Sequence, residues 1–176
     1  IRDIKNIFGE KIAFLVDGIT KLSKVYYVNS MPERQVESLK KLLLHSVEDI
    51  RVILIKLCDR LHNLRTLGNI PEEDKRLRIA KETLEIYVPI ANLLGMREIK
   101  AELEDICFKY IHVDEYQALN AKLKNNEKKI SEATLKFIEQ IEQISKKADL
   151  SLKAFPRTKN LYSAYKKILT LGKSIQ

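Results

Sequence analysis

Glycine and proline are scarce, five and four in 176 residues. A chain with so few turn formers is poorly suited to a many-stranded fold, and its apolar residues recur mostly at spacings of three and four, as in amphipathic helices. There are only two cysteines, Cys58 and Cys107. That excludes a disulfide or zinc framework, and both read as buried, reduced thiols of a cytoplasmic protein. Long apolar runs are also missing. Stretches such as residues 52–55 are far too short to cross a bilayer, so no membrane partner is expected. Ile1-Arg2-Asp3 lacks the character of a secretory leader. A chain that opens on Ile1 rather than Met is expected to be either trimmed or only partly ordered.

Positive charge is what the chain has in excess. Its formal net charge is +8, which favours an anionic partner such as a nucleotide or RNA. A lysine-rich, solvated surface accounts for the same number.

The apolar pattern lays out a mainly α fold. Residues 2–25 form a helical stretch broken near Gly9, and residues 26–32 form a loop. Residues 35–46 are amphipathic, and a helix covers 48–67. Gly68 to Pro71 end that helix. Pro71 suits the first turn of the next one, with Glu72, Glu73 and Asp74 at its positive end. That next helix runs to about Leu94, is kinked at Pro89 and stops at Gly95. Residues 96–110 form another, with Ile99, Leu103, Ile106 and Cys107 as its core stripe. Residues 114–147 are long and charged, as one helix or two. The alternation of residues 150–155 predicts a strand, Pro156 ends it, and a basic helix follows from Thr158 to Leu171. The composition shift near residue 149 marks a domain boundary.

The helix over 48–67 carries the most informative pattern. At 100° per residue, Ile50, Ile53, Leu54, Leu61 and Leu64 lie within about 60° of Leu57. Asp59, His62, Asn63 and Thr66 gather on the opposite side, downstream of Val52 and Ile55. Such a polar group reads as facing a lined cavity, where a carboxylate needs a cation or several donors to stay ionised. A metal ion would serve. A capped, solvated helix end remains the alternative. Arg60 and Arg65 bind phosphate or, as preferred here, pair with acids such as Glu48 or Asp49. Lys75 and Arg76 follow after a short loop, within reach of a ligand. Tyr87 reads as core, and Asp17-Gly18 as a structural turn. His45 and His112 have no partner pattern and receive no role.

Residues 53–66, with Lys56, Leu57, Asp59, Arg60, His62, Asn63, Arg65 and Thr66, resemble a metal-site motif of the Rel/SpoT family, the bacterial (p)ppGpp synthetase/hydrolases. The resemblance extends to Phe8-Gly9 with residues 12–22, to residues 82–87 with 89–92, to Leu94-Gly95-Met96, and to Lys100 with residues 102–105. Residues 157–167 are similar to the opening of the family's synthetase domain, although Pro156 stands where the family has glycine and Asn160 where it often has histidine. Leu93 and Cys58 also depart from the family's usual arginine and alanine.

The resemblance implies three parts: the C-terminal portion of an HD-type helical hydrolase domain over 1–112, a helical connector over 113–149, and the start of an α+β nucleotidyltransferase-like synthetase domain over 150–176. It makes Asp59 a ligand of a hydrolase Mn²⁺ and places Asn63 and Thr66 at the nucleotide, with His62 in support. It places Arg157, Lys159, Ser163 and Lys167 at ATP. The remaining hydrolase ligands and catalytic acids are expected upstream of Ile1, and the synthetase's Mg²⁺-binding acid downstream of Gln176. The chain alone is therefore expected to be inactive. The implied partners are ppGpp, pppGpp, GDP, GTP and ATP, with the ribosome engaged through regions beyond this chain. Three other readings compete. One is a synthetase-only relative with a degenerate hydrolase domain, one is a helical RNA- or ribosome-binding module, and one is an HD phosphohydrolase acting on another nucleotide.

Overall fold

The computed structural model describes residues 1–24, 49–156 and 159–172. The segments expected over 26–32 and 35–46, with His45, lie outside them. The chain divides into two compact units, Ile1–Ile111 and His112–Gln176.

The regular elements among the first unit's described residues are all helical. Helices α1 (Arg2–Phe8) and α2 (Glu10–Lys24) are separated at Gly9, whose φ of 84° and ψ of 171° suit glycine alone. Helix α3 (Arg51–Arg65) follows and ends in a 3₁₀ turn, Leu67–Asn69. Helix α4 (Glu73–Glu82) runs into a π turn, Thr83–Tyr87, and then into α5 (Val88–Leu93) and α6 (Arg97–Ile111).

The π turn is where Pro89 acts. Proline has no N–H for the carbonyl four residues back, and its ring crowds that carbonyl. The helix answers by widening: the Val88 N–H reaches back five residues to the Thr83 carbonyl. The expected kink is thus a change of helical register just before the proline. Helix α5 then ends as the sequence indicated. Gly95 has a φ of 71°. The Met96 N–H bonds the Ala91 carbonyl at 2.9 Å, and the Gly95 N–H bonds that of Asn92 at 3.1 Å, a Schellman termination. Pro71 falls just ahead of α4 rather than in its first turn, which carries Glu73 and Asp74.

The core of this unit is built from α3, the π turn, α5 and α6. Leu57, Leu64, Leu67, Tyr87, Leu103 and Cys107 are all 1% exposed or less. Burying a leucine of this kind contributes about 1.5–3 kcal/mol. Tyr87 is core, as expected.

Asp17-Gly18 is not a turn. Both residues lie inside α2. Gly18 is buried where α2 crosses α3, and a Cβ there would sit 3.1 Å from Val52 Cγ2. The glycine permits close helix packing rather than a reversal.

In the second unit, residues 114–147 belong to one helix, α7 (Val113–Lys147), of 35 residues. Asp149 takes the left-handed conformation at φ 55°. The Leu150 N–H bonds the Ser145 carbonyl at 2.9 Å, a second Schellman end without glycine. The strand expected over 150–155 does not form, and these residues are irregular. Alternation alone does not make a strand without a neighbour to bond, and the described residues contain no other strand. Helix α8 (Leu161–Thr170) packs on α7. Leu119 and Tyr165 are buried in this unit, and the Tyr165 ring lies 5.1 Å from that of His112.

Candidate functional site

Helix α3 is seated on the core by Ile53, Leu57, Leu61 and Leu64, all buried. This anchoring turns the opposite side outward. Asp59, His62, Asn63 and Thr66 are all exposed. The expected cavity is not formed by the described residues. Val52 is covered where α2 crosses α3, but Ile55 on the same side is 41% exposed, so the wall stops one turn short of the polar group.

Asp59 nevertheless has the cation its carboxylate requires. The Nζ of Lys56 donates to its Oδ2 at 2.9 Å. The Asn63 amide donates to its Oδ1 at 3.4 Å. Lys56 is only 8% exposed, so its ammonium emerges from the packed side of α3 to meet a half-exposed acid. Sequence reasoning gave Lys56 no role, although at 100° per residue it lies only about 20° from Asn63, at the edge of the polar stripe. Its reach along a flexible stem supplies the link. Thr66 ends the helix, and its hydroxyl lies 3.1 Å from the His62 carbonyl and 3.2 Å from that of Asn63. Its proton is used within the helix, which leaves oxygen lone pairs for a ligand.

Arg60 and Arg65 of this helix are structural. The Nη2 of Arg60 donates to Glu82 Oε1 at 2.8 Å and to the Tyr87 hydroxyl at 3.0 Å. Its guanidinium also lies 4.2 Å from the centre of the Tyr87 ring. Arg65 grips Glu102 with two bonds of 2.6 and 2.8 Å. The Glu102 carboxyl is held below its ordinary range, chiefly by that hydrogen bonding. Pairing with acids is therefore correct, but the partners are Glu82 and Glu102. Asp49 instead pairs with Arg51 at 2.6 Å. Arg76 is also engaged, donating to the Ile70 carbonyl at 2.6 Å and the Pro71 carbonyl at 3.1 Å. These long-range partners gave no periodic signal that spacing could detect.

The two thiols differ. Cys107 is buried, and burial pushes its pKa up to about 12. Cys58 is exposed, against expectation. It lies about 100° round α3 from Leu57, past the edge of the buried stripe.

In the second unit, Ser163 and Lys167 lie four residues apart on α8, hence on one face. Lys159 is exposed just before that helix, and Arg157 falls outside the described residues. The chemistry is suited to an anion: Lys159 and Ser163 lie near the start of α8, and Lys167 adds an ammonium group in its last turn.

A Mn²⁺ ion needs several donors. Among the described residues, no three His, Cys, Asp or Glu side chains come together. Asp59 would supply one donor, and the described residues by themselves do not make a metal site.

The family profile described as "HD domain" matches residues 1–97, from α1 through α5. A GTP pyrophosphokinase of Myxococcus xanthus is 47% identical over 97% of the chain. The chain belongs to the HD-domain family, in its Rel/SpoT branch. A GTP pyrophosphokinase rsh of Brucella ovis is 41% identical over 99% of the chain. The bifunctional (p)ppGpp synthase/hydrolase SpoT of Escherichia coli K12 is 40% identical over 96% of it. The chain spans only 23% of the length of the first two relatives and 24% of the third. The HD-domain match ends at Arg97, so it includes the whole of α3 and its polar face. The similarity to these relatives continues through α7 and α8.

Proposed function

We propose that this chain is part of a (p)ppGpp synthetase/hydrolase, an enzyme that removes the 3′-pyrophosphate of ppGpp and pppGpp and makes the same nucleotides from ATP with GDP or GTP. The observation that carries the reading is the polar face of α3. Asp59, Asn63 and Thr66 sit together on a helix whose other side is fixed in the core, within a chain 40% identical to a protein named for both activities.

The division of labour follows from the residues. Asp59 is one ligand of a Mn²⁺ whose other ligands lie outside the described residues. Bound there, a divalent ion would polarise phosphate and lower the pKa of water. Asn63, beside Asp59, offers an amide to the nucleotide's ribose and base, and Thr66 offers lone pairs. Arg60 and Arg65 hold α3 against α4 and α6 through Glu82 and Glu102, so they set the orientation of the face without touching the nucleotide. Lys159, Ser163 and Lys167 form part of an ATP phosphate site, together with Arg157. Their flexible ammonium groups act as point charges on polyphosphate. The second activity takes its Mg²⁺ from residues elsewhere in the protein.

Among the described residues, no helix is long and apolar enough to cross a membrane. A cytoplasmic setting and work at the ribosome, through other regions, belong to the same proposal. The test is direct assay of the full-length protein for pyrophosphate release from ppGpp and for pyrophosphate transfer from ATP to GTP. Neither reaction above background would overturn the reading.

A further inference from the structure

Helix α7 carries an apolar strip that the described residues of its own unit cover only at its start. Leu123, Ile130, Phe137 and Ile144 follow one another at intervals of seven residues. Ile130 is 49% exposed, Phe137 63% and Ile144 67%. Leu119, on the same face one turn ahead of Leu123, is buried, so the strip opens only beyond it. In a straight helix a seven-residue repeat drifts by about 20° per step, so such a strip follows a partner that winds left-handed around it.

A second row runs beside the first. Lys122, Lys129 and Lys136 are also seven residues apart, and all are exposed. They lie about 100° from the apolar residues that follow them by one position. Between the rows are the small or polar Asn126 and Ala133. These residues, with Lys122, Leu123, Lys129 and Ile130, line a hollow of about 500 Å³ that Ala164 of α8 closes on one side. The result is a groove with an aliphatic floor and one cationic edge.

We infer that this groove is a docking surface for an amphipathic helix whose flank is acidic. Apolar residues of the partner would cover Ile130, Phe137 and Ile144, and its carboxylates would meet Lys122, Lys129 and Lys136. This mode of recognition reads anchors at helical spacing, and charges along the flank select partner and orientation. The charge pattern disfavours a second copy of α7 laid antiparallel, because lysine row would face lysine row. RNA fits less well. A single-stranded nucleic acid needs planar side chains for its bases, and the strip offers one ring among aliphatic residues.

The test uses the whole chain and a fluorescein-labelled 28-residue helical peptide with leucine on its apolar seam and glutamate along both flanks. Anisotropy should show saturable binding that weakens with added salt. Phe137→Asp, at an exposed position where folding is retained by circular dichroism, should weaken it at least tenfold. A peptide with lysine in place of glutamate should also bind at least tenfold more weakly. Equal binding of the two peptides, or indifference to Phe137→Asp, would overturn the proposal. Tighter binding of an unstructured RNA oligomer at the same residues would replace a helix with RNA. Concentration-dependent self-association lost in Phe137→Asp, seen by sedimentation, would make a second copy the occupant.

Discussion

Lys56 and Asp59 form an ion pair of 2.9 Å in which the lysine side chain is 10% exposed and that of the aspartate 45%. A cation that rises from the packed side of α3 therefore governs the acid at the centre of the polar face. The half-exposed acid limits the strength of the pair, because water screens it. A double-mutant cycle with Lys56→Met and Asp59→Ala, measured by urea denaturation, should give a coupling of about 0.5–1 kcal/mol. Lys56→Met should leave the chain folded, since methionine fills the same volume. Additive effects of the two changes would show that the pair is not formed in solution.

The contact between Gly18 and Val52 sets helix against helix. Alanine normally gains about 1 kcal/mol over glycine inside a helix. Here the added carbon would meet a fully buried, β-branched side chain at 3.1 Å. Gly18→Ala should therefore destabilise the chain, by about 1–2 kcal/mol. Joined to Val52→Ala, it should cost less than the sum of the two single changes. A more stable Gly18→Ala variant in thermal denaturation would contradict the packing.

Thiol chemistry should separate the two cysteines. At pH 8, iodoacetamide should modify exposed Cys58 and leave Cys107 intact until denaturant is added, as counted by mass spectrometry. The same burial makes stability depend on alkali. The folded Cys107 holds its proton up to about pH 12, whereas the ordinary value is 9.0. Its contribution is fully present below pH 9 and is lost between there and pH 12, because the unfolded thiol ionises first. The slope is about 1.4 kcal/mol per pH unit at most. Cys107→Ala should remove that part of the alkaline loss, even if it lowers stability at neutral pH by leaving a cavity.

Arg60 is anchored by Glu82, and its guanidinium also packs on Tyr87. Glu82→Gln keeps a hydrogen-bond acceptor but removes the charge opposite a guanidinium that is 11% exposed. A loss of about 1–3 kcal/mol is expected, with Arg60→Met in the same background adding little. An unchanged urea midpoint for Glu82→Gln would show that Arg60 is held by Tyr87 alone.

The helical architecture was legible wherever a local rule governed it. Gly9 and Gly95 broke helices because their backbones occupy conformations that other residues resist. The buried stripe of α3 followed from its apolar spacing. Failures arose where a distant residue decided the outcome. Asp17-Gly18 carries a turn signal, yet Val52, far along the chain, makes the glycine a packing site. Residues 150–155 alternate like a strand but have no partner strand among the described residues. Arg60 and Arg65 were placed with acids on general grounds, and only the fold names Glu82 and Glu102. Asp59, Asn63 and Thr66 were grouped by periodicity, whereas the resemblance alone supplied their roles at metal and nucleotide.

The decisive measurement is Mn²⁺-dependent release of pyrophosphate from ppGpp by the full-length protein, with and without Asp59→Ala. The account predicts that the variant loses hydrolysis by at least a hundredfold while transfer of pyrophosphate from ATP to GTP persists. Undiminished hydrolysis by Asp59→Ala would contradict the placement of this residue, and with it the functional reading of the α3 face.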